Sequence, residues 1–207
     1  MPLFGKAGEF IREKIALFRE YSKISESGEI ARRYFAMNSF DGILTTLGIL
    51  IGSWVGKVHE PKVVIMTGLG AAVAMGVSGF WGAYETEKAE RARSLQEMER
   101  ATLSSLEGTK IAEASKFATI LVSFIDGISP FLAVLLVISP YLLGGAVGIT
   151  EPQMYAASMA ISFISLALLG AYLGKLSKAN ILKSSLKMVL IGIVCAIISV
   201  LLIGGAA

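Results

Sequence analysis

Residues 34–56 read YFAMNSFDGILTTLGILIGSWVG, and this stretch decides how the chain folds. It is apolar enough to cross a bilayer, since about 20 residues of helix cover roughly 30 Å of hydrocarbon. Yet it contains an aspartate, Asp41, and an ionised carboxylate at the centre of a membrane helix costs about 2.5–3.5 kcal/mol on insertion scales. The carboxylate therefore needs either a partner or a function.

The rest of the chain has the composition of an integral membrane protein. Hydrophobic residues make up 54% of its 207 residues and charged residues 17%, and the mean hydropathy is +0.68. Five long apolar runs lie near residues 34–56, 63–84, 117–147, 154–174 and 188–207. Backbone polar groups in hydrocarbon must be satisfied internally. The sequence therefore predicts an all-α, polytopic membrane helix bundle with five transmembrane helices.

The basic residues indicate how these helices are oriented. Of the 19 Lys and Arg, all but Lys57 and Lys62 fall before the first run, between the second and third, or between the fourth and fifth. By the positive-inside rule, the N-terminus is expected in the cytoplasm and the C-terminus outside. This pattern explains the excess of basic over acidic residues without a nucleic-acid partner. We find no targeting segment ahead of the first span, which favours a prokaryotic plasma membrane.

The segments outside the spans are also predicted to be helical. Residues 1–33 are expected to form a cytoplasmic amphipathic helix that lies along the membrane surface or packs on other cytoplasmic parts. Its apolar stripe comprises Phe10, Ile11, Ile15, Phe18, Tyr21 and Ile24. Residues 85–116 are rich in glutamate and helix formers, so a helix should continue out of the second span and break near Gly108. Transmembrane hairpin 1 then covers 34–84, and 117–207 hold hairpin 2 and the fifth helix.

An internal repeat relates the two hairpins. SFDGILTTLGILIG in the first span corresponds to SFIDGISPFLAVLL in the third, and GFWGAY in the second to LLGAYLG in the fourth. Both hairpins begin on the inner side, so the copies would be parallel in the membrane, as in some transporters. Asp41 and Asp126 are then repeat-related carboxylates, expected to face each other across the bundle. Each lies about 12–15 Å along its helix from the preceding basic residue.

A repeated intramembrane aspartate favours an ion or proton site over a purely structural role. Met37, Asp41 and Thr45 share a helical face. Oxygen ligands suit divalent cations, and a thioether from Met37 or Met75 would favour softer iron over magnesium or calcium. No nucleophile with a base, phosphate loop or zinc motif is present, so enzymatic activity is not expected.

The glutamates of residues 85–116 are the second group of candidate cation ligands. Glu87, Glu90 and Glu97 fall within about 80° of one another on a helix. Basic residues are interleaved with them, and Glu87 with Arg91 is an ordinary i,i+4 ion pair. A solvated charged helix therefore remains an alternative to a metal site.

The chain resembles the vacuolar iron transporter (Ccc1-type) family over about residues 35–207. The resemblance rests on SFDGILTTLGILIG, GVSGFWGAYETEK, the glutamate-bearing helix, ISPYLL and LGAYLGKLSKANILKSSLKMVLIGIVCAII. It implies a five-helix homodimer that exports Fe2+, and often Mn2+, from the cytoplasm in exchange for protons along a path between the subunits. Asp41 matches the aspartate of the family's membrane site. Glu87 and Glu90 preserve the E-x-x-E spacing of its cytoplasmic metal-binding segment, and the resemblance implies Glu97 and Glu113 as later ligands.

Two positions depart from the family pattern. Its second span usually carries a glutamate and a methionine where this chain has Ala71 and Gly79, although Met75 lies one turn before Gly79. We therefore expect a divalent-metal transporter with Fe2+ or Mn2+ as transported substrate and no resident cofactor. Its partners would be the bilayer, protons and a second copy of the chain. A proton-coupled carrier of another cation or small solute, and a non-transporting membrane scaffold or sensor, remain alternatives.

Overall fold

The computed structural model describes residues 3–58 and 60–205, with side chains from Arg12 onward. His59 and the extreme termini lie outside the described residues. For Phe10 and Ile11 of the predicted apolar stripe, the backbone is described and the side chains are not. The described residues form six helices and no strand. They are α1 (Leu3–Ile24), α2 (Ser27–Val55), α3 (Pro61–Thr102), α4 (Lys110–Val147), α5 (Glu151–Leu176) and α6 (Ile181–Gly204).

Five of these helices, α2 to α6, are long and apolar enough to cross a membrane. Each contains one of the five apolar runs found in the sequence, apart from a few terminal residues. For the residues that the structure describes, the prediction of an all-helical fold with five candidate spans is confirmed.

Helix α3 continues well beyond its apolar run. It is 42 residues long, which corresponds to about 63 Å at 1.5 Å per residue. The chain then leaves the helix, with Leu103 at φ 53° and Gly108 at φ 75°. Glycine adopts such left-handed angles without steric cost. The predicted helical continuation and the break near Gly108 are both present.

Helix α2 begins earlier than the apolar run that predicted it. The run starts at Tyr34, whereas the helix starts at Ser27, directly after Glu26 at φ 52°. Hydropathy detects the apolar part of a helix, and polar residues extend the same helix beyond it. The turn at Ser25 and Glu26 separates α1 from α2.

The chain divides into two compact units. The polar unit comprises the chain up to Tyr34 together with Gly79–Asp126, and the apolar unit comprises Phe35–Ser78 and the chain from Gly127 onward. Most of the charged residues belong to the polar unit.

In the polar unit, α1 packs against the beginning of α4. The rings of Phe18 and Tyr21 lie 5.2 and 5.8 Å from the ring of Phe117. Lys110 forms an ion pair with Glu20. The Tyr21 hydroxyl donates a hydrogen bond to Glu113, and this bond raises the pKa of Tyr21 above its usual value. The apolar stripe of α1 is thus partly used for packing.

In the apolar unit, α2, α3, α4 and α5 share one core. Its fully or nearly fully buried members include Ile43, Leu50, Val64, Val137 and Leu166. Helix α5 in turn packs closely on α6, because a Cβ at Gly170 would lie 2.6 Å from the Cα of Ser185. Only 6% of the most apolar 18-residue segment of α6 is buried. Helix α6 therefore presents nearly all of its apolar surface outward.

Candidate ion-binding site

One exposed face of α2 carries three of the predicted ligands. Met37, Asp41 and Thr45 follow one another at intervals of four residues, and all three side chains are exposed. Four residues span slightly more than one helical turn, so their side chains lie above one another on the same side. The face presents a thioether, a carboxylate and a hydroxyl within an otherwise apolar helix.

The opposite side of α2 explains why this face points outward. Leu47 and Leu50 are fully buried, and so is Thr46, whose hydroxyl donates a 2.7 Å hydrogen bond to the carbonyl of Gly42. Gly42 itself packs against α4, where an added Cβ would lie 2.8 Å from the carbonyl oxygen of Pro130. The close contact allowed by this glycine fixes how α2 is rotated, and therefore which way Asp41 faces.

The other predicted membrane thioether has a more apolar setting. Met75 lies half-buried on α3 and packs against a small cluster of Ala72, Val134 and Ile138. Methionine commonly fills gaps in apolar cores. Met37, in contrast, is exposed beside Asp41, which makes it the stronger thioether candidate.

Asp126 is buried, unlike its repeat-related counterpart. It is 6% exposed and belongs to the polar unit, whereas Asp41 belongs to the apolar unit. The nearby Ser123 is also buried, and its hydroxyl donates to the carbonyl of Thr119 at 2.6 Å. The repeat thus places the two carboxylates in different environments.

The polar unit contains a buried ion pair and further ionisable side chains within electrostatic reach of it. The carboxylate of Glu87 pairs with Arg91 at an Nε–Oε2 distance of 3.1 Å, and the two side chains are only 11% and 15% exposed. Tyr34 lies within electrostatic reach of both Glu87 and Asp126. Tyr34 therefore lies close enough to both carboxylates for their charges to affect it, while Glu87 itself pairs within its own helix.

Arg91 retains hydrogen-bonding capacity that the described residues do not use. Its Nη2 atom is buried and has no hydrogen-bond partner among them. The side chain borders a cavity of about 180 Å³, which is also lined by Ser94 and Ser115. A buried guanidinium nitrogen without a protein acceptor is normally satisfied by water or by a bound group.

The remaining predicted glutamates are exposed. Glu97 pairs with Arg93 at 3.0 Å, Glu113 accepts the Tyr21 hydrogen bond, and Glu90 lies on the exposed side of α3. Among the described residues of a single chain, no three His, Cys, Asp or Glu side chains come together as a metal-binding group. The glutamates predicted to share a helix face are thus divided among separate contacts.

The sequence did not single out Tyr34, which is half-buried and lies within electrostatic reach of Glu87 and Asp126. Sequence reasoning named Arg91 only as an ion-pair partner of Glu87, and that ion pair is present. A tyrosine seven residues before Asp41, at the start of an apolar run, was the available signal. Its proximity to Glu87 depends on how α2 and α3 pack, which helical spacing within one helix does not encode.

Comparison with known proteins identifies a relative of this chain. No family model matches the sequence. The chain is 32% identical over 166 residues to the uncharacterized protein MJ0645 of Methanocaldococcus jannaschii, and the alignment covers 79% of this chain and 83% of that protein. An identity of this level over most of both chains shows common descent. The chain therefore belongs to the same protein family as MJ0645.

Proposed function

We propose that this protein is a membrane transporter that exports a divalent metal, Fe2+ or Mn2+, from the cytoplasm in exchange for protons. The observation that carries the proposal is the exposed face of α2, where Met37, Asp41 and Thr45 are aligned. Carboxylate and hydroxyl oxygens together with a thioether suit a borderline divalent cation. The resemblance to the vacuolar iron transporter family, in which Asp41 matches the aspartate of the membrane site, supports the same conclusion.

A second copy of the chain would complete this site. Asp41 is exposed on a helix whose surroundings are apolar, and an ionised carboxylate facing lipid is unfavourable. A homodimer that places the α2 faces together would shield both carboxylates. It would also double the number of ligands, so that two copies supply what one chain lacks.

Exposed carboxylates of the polar unit would then attract the cation. Exposed carboxylates such as Glu90 and Glu97 raise the local cation concentration at the entrance. Glu87 is balanced by Arg91, so a metal ion at Glu87 would have to compete with the guanidinium. Asp126, buried and near Tyr34, is the candidate for the exchanged proton. The N-terminus would lie on the cytoplasmic side of a prokaryotic plasma membrane and the C-terminus outside, as the distribution of Lys and Arg predicts.

Metal flux into proteoliposomes tests the role of Asp41 directly. Vesicles carrying the native chain or Asp41→Asn receive Fe2+ or Mn2+, with Mg2+ and Ca2+ for comparison. The substitution removes the charge but keeps the size of the side chain, so we expect at least tenfold slower flux with normal folding. Asp41→Glu, which retains the carboxylate, should keep part of the activity.

A matched control separates this role from a general effect of charge. Glu60 is an exposed carboxylate between α2 and α3, outside both candidate spans. Glu60→Gln should transport metal at the native rate. Native flux from folded Asp41→Asn protein would contradict the assignment of Asp41.

A proton-coupled carrier of another cation or small solute is the second candidate. Met75 packs into an apolar cluster, and Ala71 and Gly79 replace the usual glutamate and methionine of the iron transporters. These features weaken the case for iron in particular. Proton movement in the same vesicles driven by another solute, without metal flux, would favour this candidate. A non-transporting scaffold or sensor would show neither flux.

A further inference from the structure

Four lysines surround the turn between α5 and α6. Lys175 lies in the last turn of α5, and Lys178 lies in the turn after the helix with a φ of 55°. Lys183 and Lys187 are one helical turn apart on α6. All four side chains are exposed. We call these four residues the lysine patch.

No counter-charge lies near the lysine patch on its own helices. The sequence contains no Asp or Glu after Glu151, which lies at the opposite end of α5. None of the four lysines forms an ion pair with any residue that the structure describes. Their positive charge is therefore available to a group outside the chain.

The surface next to the lysine patch is apolar and outward-facing. Helix α6 exposes Leu186, Leu190, Val194 and Ile197 along its length. Lys183 and Lys187 lie at the N-terminal end of this surface. A helix with an exposed apolar body and lysines at one end matches the layering of a bilayer, with hydrocarbon beside anionic headgroups. Lysine stems are long enough to carry their charges toward the headgroups.

We propose that the lysine patch binds the phosphate of anionic phospholipid headgroups in the membrane that surrounds α5 and α6. Several lysines at the end of a membrane helix attract such headgroups, each contributing about a fivefold preference near the surface. The proposal rests on the placement of α5 and α6 in a membrane, and it does not depend on metal transport.

Lipid retention measures this preference. The full chain is purified in detergent containing equal amounts of phosphatidylglycerol and phosphatidylcholine, and the bound lipids are counted by native mass spectrometry. We expect the native protein to retain mainly phosphatidylglycerol. Lys183→Gln with Lys187→Gln should reduce that preference at least fivefold, and the corresponding pair of arginine substitutions should restore it.

Two controls decide between specific and general attraction. Lys57→Gln with Lys62→Gln removes the same number of charges around the turn between α2 and α3, and it should leave the preference unchanged. An equal loss in this control would overturn the proposal. So would release of the lipid by millimolar inorganic phosphate, since that result would indicate a site for the free anion. Lipid selectivity in a protein without metal flux would uphold this proposal while contradicting the proposed transport.

Discussion

Asp41 and Glu87 are two carboxylates that the chain accommodates in opposite ways. Glu87 is nearly buried and balanced by Arg91 at 3.1 Å, whereas Asp41 is exposed on an apolar helix. A buried carboxylate is tolerated when a paired charge and hydrogen bonds compensate for its lost hydration. The Glu87–Arg91 pair is therefore expected to matter for stability, and Asp41 for function.

Removing one member of the buried pair should be strongly destabilising. Arg91→Met leaves Glu87 without its counter-charge, so we expect the free energy of unfolding to fall by about 3 kcal/mol. The double variant Glu87→Gln with Arg91→Met should recover most of this loss, because no uncompensated charge remains. The double-mutant cycle compares the native chain, Arg91→Met, Glu87→Gln and the double variant. Their free energies of unfolding are measured by chemical unfolding in detergent, followed by circular dichroism.

The chain provides an exposed pair of the same chemistry for comparison. Arg93 and Glu97 also lie four residues apart on α3, but their side chains are 76% and 62% exposed. Solvent screens such a pair, and Arg93→Met should cost less than about 1 kcal/mol. Equal losses for Arg91→Met and Arg93→Met would show that the burial of Glu87 is energetically unimportant.

At the scale of helices, hydropathy and spacing predicted the elements but not their contacts. Apolar runs identified all five candidate spans, and the helix formers after Tyr84 predicted the extension of α3 to Thr102. The start of α2 at Ser27 could not be read from hydropathy, because polar residues continue the same helix. Contacts between helices are tertiary, so the proximity of Tyr34 to Glu87 and Asp126 was also beyond the sequence.

In the candidate site, too, the sequence predicted positions along one helix but not the contacts between helices. A period of four residues predicted that Met37, Asp41 and Thr45 share a face of α2, and the structure places them on one exposed side. The internal repeat suggested equivalent roles for Asp41 and Asp126. Their different burial depends on neighbouring helices, which a repeat in one sequence does not specify.

The contact between α2 and α4 depends on a glycine. A Cβ at Gly42 would lie 2.8 Å from the Pro130 carbonyl oxygen and 3.0 Å from the Cβ of Ala133. Because backbone atoms cannot yield easily, Gly42→Ala should force α2 and α4 apart and cost about 1–3 kcal/mol. We expect a thermal midpoint several degrees lower in detergent.

Gly48→Ala is the matched control on the same helix. A Cβ at Gly48 would meet nothing within 4 Å, and alanine favours helix over glycine by up to about 1 kcal/mol. This variant should be as stable as the native chain or slightly more so. Indistinguishable midpoints for the two variants would contradict the close packing at Gly42.

At the scale of the whole molecule, the proposed homodimer would bring the exposed α2 faces of two copies together. If two copies meet through this face, a cysteine at position 45 lies near its equivalent in the second copy. Thr45→Cys in a Cys195→Ala background should therefore form a disulfide-linked dimer under mild oxidation in membranes, visible as a band of doubled mass.

A position on another exposed surface distinguishes this interface from random collision. Leu168 on α5 is 65% exposed and belongs to the same apolar unit. Leu168→Cys in the same background should remain largely monomeric. Cross-linking at Leu168 as efficient as at position 45 would argue against a dimer through α2.

The most direct test of the account is whether metal and proton movements are coupled in the native protein. Proteoliposomes that enclose both a metal-sensitive and a pH-sensitive dye are first given a Mn2+ gradient. In a second experiment, a pH gradient is applied without any metal gradient. The account predicts that metal entry drives protons outward and that the pH gradient alone moves metal uphill. Metal flux that is indifferent to pH, or no metal flux from folded protein, would contradict it.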